Sequence, residues 1–277
     1  MEVLDLLKGV RALLVVIMYG GLVLGVGSAY LLITGKIEEK IAEANPAIAM
    51  MDRKAMFAEM MKSEQFTNEL GPWLEKIGGT RLVDSLADGS MPLILLVVLL
   101  FSSVALPALV LITGYDRLSE DLHTRYARFV LQRIRRESWV LGKVLGQWAG
   151  VLALVIVVHV LLVALASLTS PRFDAAGVWR ALPLVWIGMA MFLLAYVGFV
   201  QIFSGLAGRP FTALAFGGMG LMGMWLLKLI VPAIGEIWMG AWDLRLWLLD
   251  PIAIAVFLAH AGVLIALAVL VVRTKDV

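Results

Sequence analysis

PLILLVVLLFSSVALPALVLIT, residues 92–113, is followed by YDRLSEDLHTRYARFVLQRIRRESWVLGK, residues 115–143, and then by VLGQWAGVLALVIVVHVLLVALASL, residues 144–168. A membrane helix needs about 20 mostly apolar residues. The two apolar stretches meet that length, and the segment between them does not. It carries seven of the chain's 23 Lys and Arg: Arg117, Arg125, Arg128, Arg133, Arg135, Arg136 and Lys143. A short basic loop between spans marks the cytoplasmic side of a membrane.

Working outward, four more runs have span length: Ala12–Thr34, Leu182–Leu206, Phe211–Ile234 and Ile252–Val272. With Pro92–Thr113 and Val144–Leu168 they make six. The chain is 61% hydrophobic over 277 residues, against roughly 45–50% in soluble domains, and its mean hydropathy is +0.94. The reading is an all-α integral membrane protein forming a single transmembrane domain over 1–277. A net charge of +2 gives no reason to invoke nucleic acid. The chain has no cysteine, which excludes disulfides, thiolate metal sites and cysteine nucleophiles.

Orientation follows from Lys and Arg in the short connections. With the N-terminus inside, the inner segments hold Lys8, Arg11, the seven loop cations, Arg209, Arg273 and Lys275. The short outer loops hold Arg172, Arg180 and Arg245. Both termini are therefore placed in the cytoplasm. Residues 1–11 have an acidic, amphipathic opening rather than the basic start of a signal peptide, so the first apolar run is expected to be retained. They form a short helix on the inner surface or simply the start of the first span.

Two outer segments are longer or odder than a connection requires. Residues 35–91 are rich in acids and carry Ile48, Met51, Phe57, Met60 and Met61 at helical spacing. A helical extracytoplasmic insertion, or a docking site for an extracytoplasmic partner, fits better than a copper site, because adaptable Met side chains fill helix contacts readily and no cysteine supports soft-metal binding. Residues 235–251 interleave Trp238, Trp242 and Trp247 with Glu236, Asp243 and Arg245. Tryptophan prefers the membrane interface, so short re-entrant or interfacial helices are expected there, with an ordinary aromatic belt as the alternative.

Within the spans, His159, Gln201, Lys228 and His260 are the polar or ionisable positions. Such groups are expensive in lipid and raise a functional question by default. A proton relay is one reading. Hydrogen bonding between helices, with Lys228 snorkelling outward, is the reading preferred here, since no carboxylate lies in a span core. Gly21 and Gly25 in the first span, and Gly217 and Gly220 in the fifth, belong to small-residue faces that allow close helix approach. They serve either a dimer or pathway interface or packing within the chain.

Read as one helix, Leu122–Ile134 places Leu122, Tyr126, Phe129 or Val130, and Arg133 along one stripe. The residue order of the loop is more specific than its periodicity. Asp116 follows the second span. Ser119-Glu120 comes next, then Thr124-Arg125-Tyr126, then Arg135-Arg136-Glu137, and Leu141-Gly142-Lys143 opens the third span. This order resembles the cytoplasmic loop of type-2 ABC transporter permeases. His123 departs from the small residue common before the Thr, and Gln132-Arg133-Ile134 from the Pro or Leu often found before the turn. The resemblance extends to the six-span topology and implies that Leu118–Arg136, within the loop 115–143, carries a coupling helix seated in an ATPase subunit. Its docking residues would be Asp116, Ser119, Glu120, Thr124, Arg125, Tyr126, Arg128, Arg135, Arg136 and Glu137.

No G-x-x-x-x-G-K-[ST] phosphate loop is present; Gly142-Lys143 lacks the upstream Gly and is followed by Val144. The resemblance therefore implies a permease that is no enzyme itself. ATP and Mg would sit on a separate nucleotide-binding ABC ATPase subunit, and a second copy or a sister permease would complete the pathway in a bacterial or archaeal inner membrane. The class reading is an ATP-driven exporter. Its rivals are a secondary carrier or channel, an anchor that recruits a cytosolic ATPase, and a basic loop that merely binds anionic lipid.

Overall fold

The computed structural model describes residues 10–44, 80–88, 90–170, 173–230 and 243–275, with a few positions between 68 and 75. Every regular element among the described residues is helical. They are α1 (Val10–Ala44), α2 (Thr80–Ala87), α3 (Leu93–Gly114), α4 (Ser119–His123), α5 (Tyr126–Leu131), α6 (Arg136–Thr169), α7 (Ala175–Leu206), α8 (Pro210–Ile230), α9 (Asp243–Trp247) and α10 (Pro251–Arg273). Five are long and apolar enough to cross a membrane: α1 through Leu14–Lys36, the stretch from Leu93 that contains α3, and α6, α7 and α10. The apolar stretch of α8, Pro210–Met224, is shorter. The expected helix of residues 1–11, most of the 35–91 insertion and the first part of the 235–251 segment lie outside the described residues.

Three helix ends differ from the sequence expectation, two of them for a visible local reason. The third span was expected from Val144, but α6 starts at Arg136 after an extended Arg135. Trp139, Val140 and Val144 are all buried, so this first part of the helix already has a packed face. The fourth span was expected from Leu182, but α7 starts at Ala175. Asp174 caps it, its carboxylate accepting from the Gly177 N–H at 2.8 Å, which satisfies one of the helix's unpaired first-turn donors. α1 runs past Thr34 to Ala44. At α10 the expectation and the fold agree: Asp250 caps the helix by accepting from Ile252 N–H at 2.8 Å, and Pro251 opens it.

α7 is the central helix. Leu182, Val185, Met189, Phe192, Leu193, Ala195, Tyr196, Val197, Phe199 and Val200 are all buried. Lipid tails are as apolar as these side chains, so close packing rather than water exclusion holds such helices together. Small residues permit the approach. A Cβ at Gly198 would stand 3.1–3.3 Å from Ile265 and Leu264 of α10. Toward the opposite end from the basic loop, Phe192 gathers Tyr196, Phe257 and Trp247, with ring centroids at 4.7, 5.9 and 6.0 Å. Gly188 lets α9 in: its Cβ would lie 3.0 Å from the Leu246 carbonyl oxygen and 3.1 Å from Trp247 Cα.

Candidate functional site: the basic loop and its seat

The loop is not one helix. α4 and α5 are separated at Arg125, which has φ 61° and ψ 11°. That left-handed conformation costs a non-glycine residue roughly 1–2 kcal/mol. The break dissolves the single stripe expected over Leu122–Ile134. Leu122 and Val130 are half-buried, while Tyr126 and Phe129 are 56% and 68% exposed. Glu120, Thr124, Arg125, Arg128, Arg133 and Arg135 are exposed around them. The outward face of the loop is thus two aromatics among four arginines.

The inward face is a buried base. Leu118 and Ser119 are fully buried and Asp116 is 4% exposed. Asp116 and Ser119, expected among the docking residues, therefore face the chain's own interior. Ser204 of α7 receives this base: its hydroxyl oxygen accepts from the backbone N–H groups of Leu118 at 3.0 Å and Ser119 at 3.2 Å. The Ser119 hydroxyl donates to the Tyr115 carbonyl at 3.0 Å. A Cβ at Gly205 would lie 3.6 Å from Leu118 Cδ1, so the Leu118 side chain rests on the same turn of α7. On the other side, Asp121 of α4 pairs with Lys143 of α6 at 3.0 Å, with both side chains under one-fifth exposed.

Three residues before Ser204, a buried amide ladder begins. Gln201 donates to Gln147 Oε1 at 2.7 Å. Gln147 donates to the Val110 carbonyl at 2.7 Å and to Thr113 Oγ1 at 3.1 Å. The ladder joins α7, α6 and α3, and Gly114 makes room for it, since a Cβ there would overlap the Gln147 amide. Gln201 Oε1 is buried without a hydrogen-bond partner among the described residues.

Arg136 and Glu137, also expected to dock, are tied within the chain. The Arg136 guanidinium donates to the carbonyls of Arg273 at 2.9 Å and Lys275 at 3.0 Å. It thereby caps the C-terminal end of α10, where unpaired carbonyls and a negative dipole favour a cation. Glu137 accepts from Arg273 Nε at 2.7 Å. Lys275 Nζ donates to the Leu206 carbonyl at 3.0 Å. Loop, α6 start, α7 end and α10 end therefore form one connected end of the bundle.

His159 belongs to a second buried chain. Trp186 Nε1–H is 3.3 Å from His159 Nδ1, His159 Nε2 is 3.4 Å from the Tyr19 hydroxyl, and that hydroxyl is 3.1 Å from Ser102 Oγ. An indole N–H can only donate, so Nδ1 is the acceptor and the proton of the neutral ring sits on Nε2. Nε2–H donates to Tyr19, and the Tyr19 hydroxyl shares a further hydrogen bond with the Ser102 hydroxyl. The chain crosses α7, α6, α1 and α3, as the interhelical hydrogen-bond reading expects. His260 Nδ1 is 2.7 Å from its own helix's Val256 carbonyl. Lys228 falls on α8.

The glycines divide. Gly217 and Gly220 are filled by this chain: their Cβ atoms would meet Leu111 Cδ1 at 2.5 Å, and Phe203 and Phe199 Cζ at 2.9 and 3.0 Å. Gly21 and Gly25 meet nothing within 4 Å among the described residues. The positions that sequence reading missed, Tyr19, Ser102, Trp186, Gln147 and Ser204, each place one polar group inside an apolar run. A single such group barely lowers the hydropathy of its run, so the sequence carried little signal.

No protein-family model matches the chain, and no curated protein matches it significantly.

Proposed function

We propose that the chain is the transmembrane subunit of an ATP-driven ABC transporter working as an exporter. In this reading α8 supplies a sixth span and both termini are cytoplasmic in a bacterial or archaeal inner membrane. A second copy or a sister permease completes the pathway. The observation that carries the reading is the two-sided loop: Tyr126, Phe129 and exposed arginines face outward, while Leu118 and Ser119 are buried against α7. Aromatic and arginine side chains are the usual anchors of protein interfaces.

The chain performs no covalent chemistry. The separate subunit binds ATP and Mg, and its closure moves the loop. Alternating access follows as the spans shift relative to their partners. The test is gentle extraction of the tagged chain, followed by mass spectrometry of what stays bound. A stoichiometric partner with a phosphate loop, together with vanadate-sensitive ATP hydrolysis, is the expected result. A chain that purifies alone under conditions preserving other membrane complexes overturns the proposal.

A further inference from the structure

The loop is covalently joined to α3 and α6, so those two helices are the obvious route for its motion. The contacts favour a different one. The two buried N–H groups at the base of the loop converge on a single α7 oxygen, Ser204 Oγ, at 3.0 and 3.2 Å. Leu118 rests on Gly205, the next residue of α7. Gln201 then links the same end of α7 to α6 and α3 through Gln147 at 2.7 Å. α7 also packs closely on α10 at Gly198 and on α9 at Gly188. A displacement that enters through α4 and α5 therefore meets the helix with the widest reach in the bundle.

We infer that α7 is the helix through which the loop drives the transmembrane domain, and that Ser204 is the positioning residue that joins them. This rests on the coupling assignment above. Ser204 touches no substrate. It acts by making the loop and the end of α7 move as one body. The Asp121–Lys143 pair at 3.0 Å offers the competing route through α6 and is left intact in the test.

The cysteine-free chain allows spin-label pairs on its own background. Gln132→Cys marks the loop, Leu206→Cys the end of α7 and Leu14→Cys the far helix α1; all three side chains are exposed. Distances are measured by electron–electron resonance on the complex with its ATPase partner in lipid discs, without nucleotide and after vanadate trapping. The 132–206 distance is expected to stay constant while the 206–14 distance changes. Ser204→Ala should retain the partner yet weaken the link between nucleotide state and α7 position by roughly two- to thirtyfold. Ser204→Thr, which keeps the acceptor oxygen, should restore it.

Wild-type distances in both states for Ser204→Ala, with the partner bound, overturn the inference. If Ser204→Ala does not fold, the unsubstituted serine background decides: a 132–206 distance that changes on trapping overturns it. Failure to recover any phosphate-loop partner sinks the coupling assignment first and the inference with it, and that result is distinguishable because it appears before any distance is measured.

Discussion

Tyr19→Phe is the sharpest test of the buried polar chain. The Tyr19 side chain is 1% exposed, so the phenyl ring keeps its packing and only the hydroxyl is lost. Two links disappear together: the bond from His159 Nε2 at 3.4 Å and the bond to Ser102 at 3.1 Å. Interhelical hydrogen bonds in membrane proteins contribute about 0.6 kcal/mol on average and up to about 1.7. A buried donor left without an acceptor costs about 1–3 kcal/mol, and here His159 Nε2–H is that donor. Because the His159 link is long, the lower half of that range applies, and the expected loss is about 1–2 kcal/mol. For a chain of this size that lowers Tm by about 2–8 °C, readable by intrinsic tryptophan fluorescence in mild detergent. Ser102→Ala should cost less, since it removes one hydrogen bond rather than two and Tyr19 keeps its bond from His159. The two substitutions combined should cost little more than Tyr19→Phe alone. A Tyr19→Phe protein as stable as the parent, or a Ser102→Ala protein less stable than Tyr19→Phe, would refute the central place of Tyr19 in the chain.

Arg125→Gly removes a left-handed arginine and should leave stability unchanged or raise it by up to about 1 kcal/mol, while weakening partner co-purification; lowered stability would show that the Arg125 side chain holds the loop together. Under the proposed function, Arg125→Glu with Arg128→Glu should release an ATPase partner without changing yield or melting, and retention of the partner at normal yield removes both positions from the proposed docking surface. Gly188→Ala forces a Cβ against the Leu246 carbonyl at 3.0 Å and should cost about 1–3 kcal/mol in the same melting assay. Gly25→Ala, whose Cβ meets nothing within 4 Å among the described residues, should be neutral within about 0.5 kcal/mol. If the open face of α1 instead joins a second copy, bulkier Gly25→Leu should shift the detergent-solubilised particle to a smaller mass with the monomer still folded.

Five of the six long apolar runs coincide with helices long and apolar enough to cross a membrane, because hydropathy integrates over many residues and tolerates single exceptions. The ends were less legible because a helix does not stop where lipid stops. α6 extends to Arg136 through a partly polar stretch whose buried face packs, and α7 extends to Ala175, where Asp174 caps it. The break at Arg125 had no sequence signal, since left-handed positions are usually announced by Gly or Asn. The polar chain was hidden for another reason. His159 was conspicuous, but its partners Tyr19 and Ser102 lie 140 and 57 positions away in the chain, and neither disturbs the hydropathy of its run. The polar loop between the second and third apolar runs was legible as a unit, yet order along it could not separate Arg128, which is exposed, from Ser119, which is buried. That separation depends on α7, which is distant in sequence.

The separation itself bears on function. A basic loop that only attracts anionic lipid needs charge near the headgroups and little else; no particular helix has to hold its base. Here the base is held three ways: by Ser204, by the Leu118–Gly205 contact, and by the Asp121–Lys143 pair. The cations and aromatics stand on top of it. The left-handed turn at Arg125 sets the angle between α4 and α5, and with it where Tyr126 and Phe129 project. Holding a surface in one orientation costs conformational entropy and a strained residue. That is the arrangement the proposed function requires of a partner that pushes on the loop, because a force applied to a hinged loop would be absorbed before it reached α7.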